Sequence, residues 1–133
     1  MSRKIFYVAI LVVLVASLVG CDPKAATTSG KIKVGLSFSD YATERWPIEA
    51  AQMTQLLQKK GYEVIVQEAD HDVKLQSDQI DNMVSQGIKG LIVIAEDGDA
   101  AVTAVDKAAK AGVKVIAYDS LIKSAGISAY ISF

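Results

Sequence analysis

Trp46, the only tryptophan in the chain, stands directly after Arg45 and before Pro47. A flat ring beside a guanidinium suits a sugar: a CH face stacks on the indole while adjacent hydroxyls take the two-pronged donor. The alternative for Trp46 is a staple that packs on the N-terminus of the helix after it. Asp119 closes a buried apolar run and could accept from two hydroxyls, its alternative being a cap on the turn that follows. Asp40, Glu96 and Asp97 are further candidates for hydroxyl contacts. His71, the only histidine, lies between Asp70 and Asp72 and is expected to be a loop residue rather than a ligand. Glu96, Asp97 and Asp99 crowd one loop without EF-hand spacing, which predicts a solvated turn and helix cap, not a metal site. There is no Gly-x-Ser-x-Gly elbow, His-Glu-x-x-His pair or phosphate-cradling glycine loop, so neither an enzyme nor a bound cofactor is expected.

Positioning these residues requires strands that end where they stand. Ile32 to Phe38 alternates Ile32, Val34, Leu36 and Phe38 with small or polar residues, which predicts a strand that helices can cover on both faces. Pro47 favours the start of a helix and predicts that Trp46 stays outside helical geometry. That helix should run over 47–60, with Ala50, Met53 and Leu57 on one stripe and Leu56 beside it. A strand over 62–69 follows, then an Asp70–Asp72 loop and N-cap. A second helix over 73–86 should present Val73, Ile80, Met83 and Val84. A buried parallel strand is predicted over 90–95, and a helix over 100–111 that turns Val102, Val105 and Ala109 inward. A strand over 113–118 precedes Asp119, and 128–133 begins a fifth strand that the chain does not complete.

Gly61, Gly87 and Gly112 recur 87 − 61 = 26 and 112 − 87 = 25 residues apart, each between a helical pattern and a strand. This is the signature of repeated βα units, whose right-handed crossovers give a doubly wound parallel α/β sheet in three layers. Ligands bind such sheets at the strands' carboxyl ends, here 39–46, 70–72, 96–99 and 119–120.

Ahead of this domain, Arg3 and Lys4 precede an apolar run from Ile5 to Val19 of about 15 residues, too short for a membrane span and fit for a secretion signal. The run ends in Leu18-Val19-Gly20-Cys21, which looks like a bacterial lipobox. Residues 1–20 are therefore expected to be a signal peptide and Cys21 a lipidated, extracytoplasmic membrane anchor. Residues 21–30 form a tether and 31–133 the domain. Cys21 is the sole cysteine, so an internal disulfide is impossible. A net charge of −1, with no basic cluster, argues against nucleic acid as a partner.

The stretches Ile32–Leu36, Glu44-Arg45-Trp46, Gln79–Met83, Ala117-Tyr118-Asp119 and Tyr130–Phe133 together resemble the N-terminal lobe of type I periplasmic sugar-binding proteins. Within that family they are most similar to D-xylose-binding lipoproteins of ABC transporters. The resemblance implies a flavodoxin-like strand order, a monosaccharide ligand and sugar contacts from Arg45, Trp46 and Asp119. Ser120 stands where the family commonly has arginine and would supply a hydroxyl in place of a fork of charged donors. The implied partners are an ABC permease or, alternatively, the sensor domain of a membrane histidine kinase. A remnant without ligand is a third reading. Two other users of such a sheet fit poorly: a phospho-receiver needs an acidic pair where Asp40 is alone, and a repressor needs a helix-turn-helix where this chain has its secretion signal. Family members continue into a second lobe that encloses the sugar, so a truncated N-terminal lobe is expected.

Overall fold

The structure, a computed structural model, describes residues 30–133. The expected signal peptide, lipobox Cys21 and nearly all of the tether lie outside the described residues. Among the described residues no helix is long and apolar enough to cross a membrane.

Five strands form one parallel sheet in the order β2-β1-β3-β4-β5. They are β1 (Lys33–Phe38), β2 (Glu63–Glu68), β3 (Gly90–Val93), β4 (Lys114–Tyr118) and β5 (Ile127–Ile131). Three helices connect the first four strands, α1 (Arg45–Lys59), α2 (Val73–Ser85) and α3 (Val102–Lys110), and a loop leads from β4 to β5. Strand order reverses between β1 and β3, which pair from Val34 with Gly90 to Ser37 with Val93. The carboxyl edge at that reversal is where an open α/β sheet leaves a crevice.

Two apolar cores hold the layers. Leu36 and Phe38 are fully buried with Trp46, Ala50 and Ile94 under α1. Ile80, Met83, Leu91, Val105 and Val115 fill the opposite face under α2 and α3. Each large aliphatic or Phe side chain among them contributes about 1.5–3 kcal/mol of transfer free energy. Gly35 is the close contact between layers, since a Cβ there would lie 2.9 Å from Met83 Sδ. The three repeat glycines all stand at positive φ, 90°, 84° and 85°, the left-handed conformation that stops a helix at least cost without a Cβ.

Several expectations shift. Trp46 is not held outside the helix: α1 begins at Arg45, and Trp46 N–H donates to Thr43 O at 2.9 Å. Pro47 falls in the first turn, where its missing N–H removes a donor that had no intrahelical partner. On α2, Val73 is 36% exposed while Gln76 is buried. On α3 the inward face is Ala104, Val105 and Ala108, rotated from the expected one because small alanines pack closest to the sheet. Leu56, beside the α1 stripe, is 57% exposed. At the other end of the sheet, Tyr130 and Ile131 of β5 are half-exposed on an edge strand.

Candidate functional site

Arg45 sits in the first turn of α1, and the turn before it is set by Asp40. Asp40 is buried, and its carboxylate accepts from Thr43 N–H at 2.6 Å and from Ser39 Oγ at 2.8 Å. Burial pushes its pKa up, but those hydrogen bonds and the nearby His71 outweigh it and hold the carboxyl below its ordinary value.

The guanidinium of Arg45 lies between two rings, 4.1 Å from the Trp46 centroid and 4.2 Å from that of Phe133. Trp46 is buried, packed at 6.3 Å against Phe38 and at 6.5 Å, edge-on, against Tyr118. One face of the indole is thus covered by its own neighbour, and the ring serves first as a platform for Arg45. Two carboxylates flank the cation. Glu49 Oε1 is 3.2 Å from Arg45 Nε, and Asp119 Oδ1 is 3.7 Å from Nη2. Glu49 Oε2 also accepts from Tyr118 Oη at 2.8 Å. Burial, then that bond to Glu49, raises the Tyr118 pKa.

Glu49 is within reach of Nε but off its N–H direction, and Asp119 is beyond hydrogen-bond distance of Nη2. Nε and Nη2 are buried and make no hydrogen bond. The two ion pairs offset part of what these unbonded donors would otherwise cost.

Asp119 follows β4 at φ 62°, a left-handed conformation that costs a non-glycine residue about 1–3 kcal/mol and persists only when its surroundings impose it. Here Asp119 N–H donates to Ile131 O at 2.8 Å and its carbonyl accepts from Tyr130 Oη at 3.0 Å. Ser120 comes next, its N–H closing a tight turn onto Tyr118 O at 2.8 Å.

The structure therefore gathers Arg45, Trp46 and Asp119, with Ser120 adjoining, and adds Glu49 and Tyr118. Glu49 carried no signal in the sequence beyond its place one turn after Arg45. Asp97 stands apart: exposed, it accepts from Asp99 and Ala100 N–H at 2.9 and 2.8 Å and shapes the turn before α3. Asp40 and Glu96 meet instead at His71, whose Nδ1 is 3.0 Å from Glu96 Oε2 and whose Nε2 is 3.7 Å from Asp40 Oδ1. Buried Gln76 ties the same edge together: Nε2 donates to Ile94 O at 2.9 Å and Ser37 Oγ at 3.2 Å, and Oε1 accepts from Glu96 N–H at 3.0 Å.

A doubly wound sheet with polar groups converging beyond the ends of β1 and β4 defines a ligand-binding α/β lobe. More particularly, the chain belongs to the periplasmic binding protein family: residues 34–133 match the family model described as "Periplasmic binding protein domain". The D-xylose-binding periplasmic protein of Haemophilus influenzae is 36% identical over 105 residues, 79% of this chain and 32% of that protein. The multiple sugar-binding periplasmic receptor ChvE of Rhizobium radiobacter is 38% identical over 101 residues, 76% of this chain and 28% of that protein. Among solved structures, an ABC transporter solute-binding protein from Clostridium phytofermentans with bound β-D-glucose superposes with a TM-score of 0.74 at 39% identity. That match covers 76% of this chain and 32% of that one. The chain thus spans about a third of the length of the relatives it matches. Its sheet order is the flavodoxin-like one that the resemblance implies.

Proposed function

We propose that this chain is the sugar-binding lobe of an extracytoplasmic, lipid-anchored receptor for a monosaccharide, D-xylose first among the candidates. Arg45 carries the reading, because its charged fork stands 40% exposed at the strands' carboxyl edge, ion-paired with Glu49 and Asp119. A cation between Glu49 and Asp119 leaves the cluster net negative, which disfavours an anionic ligand. A neutral, hydroxyl-rich ligand fits: its oxygens accept from Arg45 and its hydroxyls donate to Asp119. Trp46 holds the guanidinium from beneath, and Ser120 supplies a hydroxyl. Asp40, Glu96 and Asp97 are outer members of the same edge.

The xylose preference, the ABC permease as partner and the anchor at Cys21 extend this reading by relatedness to the D-xylose-binding and multiple-sugar proteins. The relatives do not favour the kinase-coupled alternative. The reading contains no catalytic step, in keeping with relatives described as binding proteins.

Saturation-transfer difference NMR of the chain with D-xylose tests it. Transfer to the sugar protons that is lost in Arg45→Ala supports the site. Equal transfer in both proteins refutes it.

A further inference from the structure

Three ligating side chains from three different strand ends converge on the same carboxyl edge of the sheet as the Arg45 cluster. Asp40 follows β1, His71 follows β2 and Glu96 follows β3, and one ligand atom from each lies within 4.8 Å of the others. The Asp40 carboxylate is pre-set by Ser39 and Thr43, and the backbone of Glu96 is fixed by its N–H donating to Gln76 Oε1. His71 is brought over them by a chain reversal in which Asp70 and His71 both take positive φ, 48° and 62°. The reversal is held by His71 N–H donating to Ser39 O at 3.0 Å.

We propose that Asp40, His71 and Glu96 form a binding site for a first-row divalent metal ion of the zinc class, with water completing its coordination. Around an ion with bonds of about 2.0–2.1 Å, neighbouring ligand atoms lie roughly 3.3 Å apart. His71 already contacts both carboxylates, with Nδ1 3.0 Å from Glu96 Oε2 and Nε2 3.7 Å from Asp40 Oδ1, so small side-chain shifts bring one atom of each residue to that spacing. The two contacts use opposite ring nitrogens, so binding turns the half-exposed imidazole until one nitrogen serves the metal. One imidazole with two carboxylates selects zinc, cobalt or nickel over magnesium and calcium, which prefer all-oxygen sites. The bound ion would tie the loop leading into Arg45 to the ends of β2 and β3. Because the ligand must be neutral imidazole, protons compete with the metal at His71, whose neighbouring charges are Asp40, Asp70 and Glu96.

Isothermal titration of the metal-stripped full chain with zinc chloride at neutral pH tests the site. NMR of the imidazole resonances accompanies it, and since His71 is the only histidine those resonances report the ligand directly. One-to-one binding with shifted His71 signals is expected, weakened about tenfold or more in His71→Ala and in Glu96→Gln. Binding should be unchanged in Asp78→Asn on the outer face of α2, and magnesium chloride should give no response. Circular dichroism establishes that each variant is folded, and Asp40 is left intact because its carboxylate shapes the turn before α1. Cys21 remains in every variant, so zinc held by that thiol would bind His71→Ala as tightly as the parent. That result, or no zinc binding at all, overturns the proposal. Sugar binding plays no part in the readout, so the two readings stand or fall separately.

Discussion

Arg45 Nη2 lies 3.7 Å from Asp119 Oδ1, joining the first turn of α1 to the end of β4. The two groups are complementary toward a polyol, one donating only and the other accepting only. Lysine at 45 keeps the charge but loses the planar fork and its seat between Trp46 and Phe133. Arg45→Lys should weaken the response to D-xylose about tenfold or more, as expected for a charged hydrogen bond of about 1.5–3 kcal/mol. Ligand-observed NMR titration measures it, and an unchanged midpoint would exclude Arg45 from the site.

Gln76 should matter for stability more than its position on a polar-looking helix suggests. Its side chain is buried and makes three hydrogen bonds, to Ser37, Ile94 and Glu96. Gln76→Leu keeps volume but leaves the Glu96 N–H and the Ile94 carbonyl unpaired. Urea unfolding is expected to show a loss of about 2–4 kcal/mol.

Gly98 is a second structural point. A Cβ there would stand 2.1 Å from the carbonyl oxygen of Leu121, a backbone atom that cannot swing away. Gly98→Ala should therefore separate the loops after β3 and β4 and cost about 1–3 kcal/mol. Gly61→Ala meets no atom within 4 Å but suffers from φ 90°, so its cost is conformational, about 1 kcal/mol. Thermal melts measure the two losses, and amide NMR distinguishes their causes, since only the Gly98 change should disturb resonances at Leu121.

His71 makes stability depend on pH in a definite direction. Its pKa is raised, first by the hydrogen bond to Glu96 and then by the charges of Asp40, Glu96 and Asp70. Its contribution is fully present below the unfolded value near 6.5 and is lost as pH rises through the higher folded value. Asp40 works oppositely. Its lowered pKa contributes stability above the unfolded value of about 3.9, lost as pH falls through the folded one. Metal-free protein should thus lose midpoint temperature as pH rises above the unfolded histidine value of about 6.5, and His71→Gln should flatten that slope. A parallel slope in the variant would assign the effect elsewhere.

Much of the fold was legible because it is written in local punctuation. Gly61, Gly87 and Gly112 stop three helices, Asp72 caps α2 through Leu75 N–H at 2.9 Å, and the apolar runs between them are the strands. What escaped depends on partners distant in sequence. The pattern on α2 favoured Val73 as a core residue, but the reversal at Asp70-His71 leaves it at the rim, and Gln76 fills the buried position by satisfying strand-end groups. Arg45, Trp46 and Asp119 could be singled out by residue type. Neither Glu49 holding both Arg45 and Tyr118, nor His71 between Asp40 and Glu96, could be found that way. Trp46 shows both outcomes at once: its proximity to Arg45 was visible, whereas its burial followed from Pro47 lying inside the first turn.

The most direct measurement of the sugar-binding account is a two-dimensional amide NMR titration of the chain with D-xylose, followed by ribose and glucose. A micromolar complex requires about −8 kcal/mol, and about three charged contacts left hydrated on an open lobe should fall well short of it, at no better than millimolar affinity. The account predicts xylose-dependent shifts at Arg45, Trp46, Asp119 and Ser120, with the outer faces of α2 and α3 unmoved. A well-dispersed spectrum indifferent to every sugar at high millimolar concentration, or shifts confined to surfaces away from the ends of β1 and β4, would contradict it.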